Sequence, residues 1–197
     1  MNSLLTSLIT GALLIGPGLT HAIESLAFNV VDSSNDIEVR RYAPHLLATV
    51  RVTGDFDDAG SVAFRPLFDF ISGDNASKEK IAMTAPVLQQ PDSESGRWLV
   101  SFVMPSDFDR ASLPVPSSDV VSVSEQPPML MAALQYRGGW SQSRYREHEA
   151  KLIGALSDMS LTACGETRWA RHDPPFMPWF MRKNEILIPL CDPTVEL

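Results

Sequence analysis

The sequence predicts an α+β fold, a distorted antiparallel β-barrel carrying two helices and assembled from two pseudo-symmetric repeats. Three observations lead there: a gapless internal match, apolar residues alternating with period two, and one amphipathic helical stripe in each copy. Residues 37–52 lie over residues 121–136 at a displacement of 84, which superimposes Pro44 on Pro128, Val39 on Val123, Leu46 on Leu130, Ala48 on Ala132 and Gly54 on Gly138. Without any change of displacement, Phe102-Val103-Met104-Pro105 then meets Ile186-Leu187-Ile188-Pro189. Repeat one spans about residues 36–105 and repeat two about 120–189.

Each copy reads in the same order. A short alternating strand (Ile37, Val39; Val121, Val123) reaches a proline break, and a second apolar strand follows over 46–52 or 130–136. A Gly-aromatic turn opens a helix. Phe64, Leu67, Phe68 and Ile71 form the first stripe at i, i+3, i+4 and i+7, and Tyr145, His148, Leu152, Ile153 and Leu156 form the second. Asp55, Asp57 and Ser141 are candidate N-caps, and Pro66 should kink the first helix or mark its first turn. Two strands complete each unit, 81–88 with 98–104 and 161–171 with 185–190. Neither copy can cover its own sheet with one helix, so the two should associate about a pseudo-twofold axis, joined by the Pro/Ser segment 113–119.

The first 22 residues carry no Lys, Arg, Asp or Glu, and 4–19 is an apolar run ended by Gly16-Pro17-Gly18. Such a run is too short and broken to span a bilayer; it reads as an export signal cleaved after Ala22, with a periplasmic or secreted destination. Residues 23–197 then form a single domain without a transmembrane segment. With 16 basic against 24 acidic residues, the net charge of −8 falls wholly on that domain. No basic cluster offsets phosphate repulsion, which excludes nucleic acid as an expected partner. Cys164 and Cys191 are the two cysteines. If the last strands form a hairpin turning near Met177, residue numbers summing to about 355 face each other, and this pair meets that condition. A disulfide is expected in an oxidising compartment.

Catalytic signatures are missing from the chain: no G-x-S-x-G elbow, no H-E-x-x-H, no phosphate-binding glycine loop and no C-x-x-C. An enzyme is therefore not expected, and no catalytic residue is named. His45, His148 and His172 follow the signal without zinc-type spacing. The unusual feature is a supply of large apolar side chains near structural breaks. Residues 173–182 hold Phe176, Met177, Trp179, Phe180 and Met181, either as a lid that packs down or as a surface for an apolar partner.

Four segments carry a resemblance: Ile37-Glu-Val-Arg-Arg-Tyr-Ala-Pro44, Phe64-Arg-Pro-Leu-Phe-Asp-Phe-Ile-Ser-Gly73, Lys80-Ile-Ala-Met-Thr-Ala-Pro-Val87 and Arg182-Lys-Asn-Glu-Ile-Leu-Ile188. Together they resemble the SOUL haem-binding protein family over nearly the whole mature chain. The resemblance implies a distorted barrel of two pseudo-symmetric halves and non-covalent binding of haem or a related tetrapyrrole. One branch of the family places an axial histidine where this chain has Arg41. Another lays haem in an apolar cleft along the first helix, where Phe64 and Phe68 match; Ser61 and Asp69 replace basic residues expected near the propionates, and Arg65 is the available substitute. The expected ligand contacts are Phe64, Arg65, Phe68, Phe176, Met177, Trp179, His45 and His148, with His45 and His148 the candidate iron ligands. A carrier or buffer is the leading function. The alternatives are a tetrapyrrole-modifying enzyme and an envelope interaction module that uses the apolar loop 174–181.

Overall fold

A computed structural model describes residues 23–94 and 96–191. The expected export signal lies outside the described residues. The strands are β1 (Glu24–Ser25), β2 (Phe28–Ser34), β3 (Ile37–Tyr42), β4 (His45–Thr53), β5 (Thr84–Ala85), β6 (Val87–Pro91), β7 (Arg97–Val103), β8 (Val121–Gln126), β9 (Met129–Arg137), β10 (Arg168–Arg171) and β11 (Lys183–Pro189). Helix α1 (Phe56–Ile71) follows β4, and α2 (Gln142–Asp158) follows β9. Nine strands form one sheet in the order β2-β3-β9-β11-β10-β6-β7-β4-β8, and every pairing in it is antiparallel. The fold is α+β with a curled, barrel-like sheet, as predicted. Shifted by 84 residues, β3 and β4 fall on β8 and β9 end to end.

Alternation along the strands divides the buried side chains between two faces. Leu46, Ala48, Val50 and Val52 of β4 join a large cluster with Phe102, Leu134, Ile186, Ile188 and the buried stripes of both helices. Leu47 belongs to a second cluster with Tyr42, Leu88, Val103, Met131, Ala133, Ala170 and Leu187. Helix α1 lies on β4, β7 and β8, and α2 on β9 and β11. The N-terminal ends of the two helices meet over an aromatic group in which Phe56 and Tyr145 both touch Trp169, with ring centroids 4.0 Å and 3.5 Å away.

The helical stripes differ in detail from the periodicity. Phe56, Ala59, Ala63, Leu67, Phe70 and Ile71 are the buried residues of α1. Phe64 and Phe68 sit on the flank. The alanines bring the helix close to the sheet but carry little hydrophobic signal, so the pattern pointed to the larger phenylalanines. On α2, Ile153 is exposed and Glu149 takes an inward place beside Tyr145, His148, Leu152 and Leu156. Asp55 and Ser141 occupy the N-cap positions without a side-chain cap bond. Asp57 instead accepts a hydrogen bond from the Gln142 amide at 2.9 Å, so a residue of α1 satisfies a free N–H at the start of α2. Pro66 lies in the interior of α1.

Three strand boundaries also differ. Residues 81–88 do not run as one strand, because the cis Ala85-Pro86 peptide separates β5 from β6. Only Arg168–Arg171 of 161–171 is a strand; further back, Ala163 makes an isolated bridge to Leu190. Strands β1 and β2 were not anticipated, since all of their residues are exposed and no buried face marks them. The β10–β11 register pairs Arg168 with Leu187 and Trp169 with Ile186. That register agrees with the expected hairpin, and Cys164 and Cys191 form the disulfide, their Cα atoms 5.1 Å apart.

Candidate functional site

The same helical register that buries Leu67 leaves an aromatic surface on the side of α1. Phe64 and Phe68, one turn apart, stack at a centroid separation of 5.6 Å with their planes 13° from parallel. Phe64 rests edge-on against Phe102 of β7, also at 5.6 Å, which fixes one end of the pair on the sheet. They remain 41% and 45% exposed. Exposing this much ring surface forgoes stabilisation, and a flat apolar ligand would recover it. Arg65, on the neighbouring flank, is exposed and lies 3.8 Å from Asp69 in an i,i+4 ion pair. Its guanidinium is the cation nearest in sequence to the ring pair.

Each histidine makes a hydrogen bond through one ring nitrogen. His45 Nδ1 is 2.8 Å from the Ala43 carbonyl, an arrangement only an N–H can satisfy, so Nε2 carries the lone pair. Burial lowers the His45 pKa, against the pull of the Ala43 carbonyl on its N–H. The ring lines a cavity of about 140 Å³ with Leu26, Ala43, Thr84, Val103 and Phe108. His148 Nδ1 is 2.7 Å from the Arg144 carbonyl, and its ring stacks on Tyr136 at 3.8 Å. His172 Nε2 is 2.8 Å from a carboxylate oxygen of Glu185. Among the described residues, no ring contact or hydrogen bond joins any of them to Phe64 or Phe68. Arg41, in the position of the family's axial histidine, is exposed on β3 opposite Asn29 and Leu130. The ring pair of α1 offers a flat apolar surface, and no histidine ring touches it among the described residues.

The apolar loop does not pack down as a lid. Phe176 is 85% exposed, Trp179 63% and Phe180 59%; Met181 is exposed and Met177 half-buried. A single 3-10 turn at Trp179–Met181 shapes the loop. Arginines hold it from beneath: Arg182 donates from Nε to the Met177 carbonyl at 2.8 Å and from Nη2 to that of Pro175, while Arg137 donates to the Met181 carbonyl at 2.6 Å. The loop thus stands at the Arg137 end of β9, and no ring contact links it to Phe64 or Phe68 among the described residues.

The motifs that carried the resemblance turn out to be largely structural. Asn184 is buried, donates to the Gly138 carbonyl at 3.0 Å and accepts from the Trp140 indole at 2.8 Å, fixing the turn that precedes α2. Glu185 is buried against Arg40 at 3.1 Å and His172 at 2.8 Å. Burial opposes its ionisation, but the hydrogen bonds and charges of His172 and Arg40 prevail and hold its carboxyl at about 2. Thr84 donates to the Val103 carbonyl at 2.5 Å, tying the segment before the cis proline to β7. Sequence reasoning missed Asn75, fully buried, whose amide donates to the carbonyls of Phe70 and Glu79 and closes the turn after α1. No local pattern distinguishes it from a surface turn asparagine.

The family model described as "SOUL heme-binding protein" matches residues 23–189. The chain belongs to the SOUL haem-binding family. Among curated relatives it is 27% identical over 161 residues to Heme-binding protein 1 of Xenopus tropicalis, covering 76% of this chain and 80% of the relative. It is also 27% identical over 145 residues to Heme-binding protein 1 of Sus scrofa, covering 71% and 76%. Among solved structures, the EcmrR C-terminal domain superimposes with a TM-score of 0.63 at 12% identity, covering 79% of this chain and 96% of that one. A hydrolase from Listeria innocua gives 0.60 at 11%, covering 82% and 94%. At such identities the structural likeness concerns the fold alone. Membership of the SOUL family supports haem, a tetrapyrrole, as the small-molecule ligand.

Proposed function

We propose that this protein is an exported, non-catalytic carrier or buffer of haem or a related tetrapyrrole, which it holds by laying the ring against Phe64 and Phe68. The stacked, half-exposed pair carries the reading: two nearly parallel phenyl rings anchored on Phe102 offer a flat apolar seat. Arg65 stands next to the seat and is the natural partner for a propionate, in competition with Asp69. Because none of His45, His148 and His172 is in ring contact with the Phe64–Phe68 pair among the described residues, this reading rests the affinity on the macrocycle's apolar contact rather than on iron ligation by histidine. Phe176, Met177 and Trp179 stand outside the seat in this reading, as their loop is tied to Arg137 of β9 and makes no ring contact with Phe64 or Phe68 among the described residues.

Titration with hemin and with metal-free protoporphyrin IX tests the reading. Contact-held binding predicts one saturable site for both, with dissociation constants within a few-fold of each other. Phe68→Asp should weaken both about ten- to a hundredfold, the equivalent of one lost aromatic contact. Saturation by hemin with no binding of the metal-free ring would replace contact by axial ligation, and no saturation by either would reject the function.

A further inference from the structure

Phe176, Trp179 and Phe180 project from one ten-residue loop with most of their surface in water, and Met181 extends the patch. The loop is not a frayed segment. Trp179 and Phe180 meet edge to face at 5.8 Å, and Arg182 holds two of its carbonyls. Directly beneath, Arg137 and Arg182 make hydrogen bonds only to carbonyls, and neither forms an ion pair among the described residues. Arg182 also stacks over Trp140 at 4.3 Å. The molecule as a whole is acidic, at −8. Charges further away than about a Debye length, roughly 8–10 Å, are largely screened, and at the base of the loop the two guanidinium groups outnumber the carboxylate of Asp173, which accepts from the Lys183 amide.

We propose that the 174–181 loop is a membrane-docking element that inserts Phe176, Trp179 and Phe180 into the interfacial zone of an anionic phospholipid bilayer. Arg137 and Arg182 then lie at headgroup level. Aromatic tips on a fixed loop above cations match the layering of such an interface, in which rings occupy the boundary and guanidinium groups meet phosphate. A twofold contact between copies of this chain would instead bring the four unpaired guanidinium groups of two loops together, which argues against self-association through the loop. The docking surface is separate from the Phe64–Phe68 seat, so the protein could deliver or collect an apolar ring while attached to lipid.

The test uses the full chain with vesicles of phosphatidylcholine alone or with phosphatidylglycerol, some carrying brominated acyl chains. Trp98 and Trp169 are buried and Trp140 is partly covered, so a lipid-dependent change in tryptophan emission reports chiefly on Trp179. Phosphatidylglycerol vesicles should shift the emission to the blue, and brominated chains should quench it. Trp179→Ser should abolish both signals. Phe176→Ser with Phe180→Ser should weaken the partitioning that Trp179 reports at least tenfold, and Arg137→Gln should weaken it about fivefold on phosphatidylglycerol only. An apolar leader, if retained, would contribute equally in all variants. Vesicle binding without quenching of Trp179 would overturn the proposal. So would lipid-independent, concentration-dependent association that Phe180→Ser removes, since the occupant would then be a second copy.

Discussion

Glu185 shows how a single residue can be mistaken for a site. It stands in the segment that identifies the family, and its carboxylate is buried among Arg40, His172 and Lys183. Each neighbour is cationic or hydrogen-bonding, so the group works as an internal tie between β3, β11 and the start of the loop after β10. Its folded pKa of about 2 lies below the ordinary 4.5, so its contribution is complete above about pH 4.5 and is lost as the pH falls through 2. Glu185→Gln should therefore lower the urea midpoint at pH 7, and the difference from the parent protein should shrink progressively between pH 4.5 and 2. A constant difference across that range would show that the carboxylate's charge is not what stabilises the fold.

At the scale of elements, periodicity located β3, β4, β8, β9 and both helices because each has one buried face that leaves its imprint on the sequence. β1 and β2 left none: every residue in them is exposed. The division at Pro86 and the short β10 depend on which backbone groups find partners, as when Thr84 reaches the Val103 carbonyl, and pattern alone does not specify that. The candidate site was half legible. Phe64 and Phe68 were visible as aromatic residues on α1, yet their flank position depends on Ala59 and Ala63, whose small side chains carry the actual core face. The disulfide was legible because hairpin register is arithmetic once one pair is set. It closes a segment with a sequence separation of 27. Cys164→Ser should cost about 3 to 4 kcal/mol by the chain-entropy relation, and the denaturant midpoint of the parent with reductant should approach that of the variant. Equal midpoints for parent and variant without reductant would mean the bridge contributes nothing.

Across the described residues, exposed aromatic side chains gather at two places that bear on function: the ring pair on α1 and the loop between β10 and β11. The first rests on Phe102 of β7, and the second is tied to Arg137 and Arg182. A seat for a flat ligand and a tip for lipid are different demands, and the two proposals assign them to different places. The SOUL family match spans both segments, at residues 23–189.

The most direct measurement is the hemin dissociation constant of two double variants under one set of conditions. If the ring is held by contact on α1, Phe64→Ser with Phe68→Ser weakens binding by at least a hundredfold, and His45→Ala with His148→Ala changes it less than threefold and leaves the absorption spectrum of the complex unaltered. The opposite pattern, histidine loss abolishing binding while the phenylalanine variant binds as the parent does, would contradict the assignment of the seat.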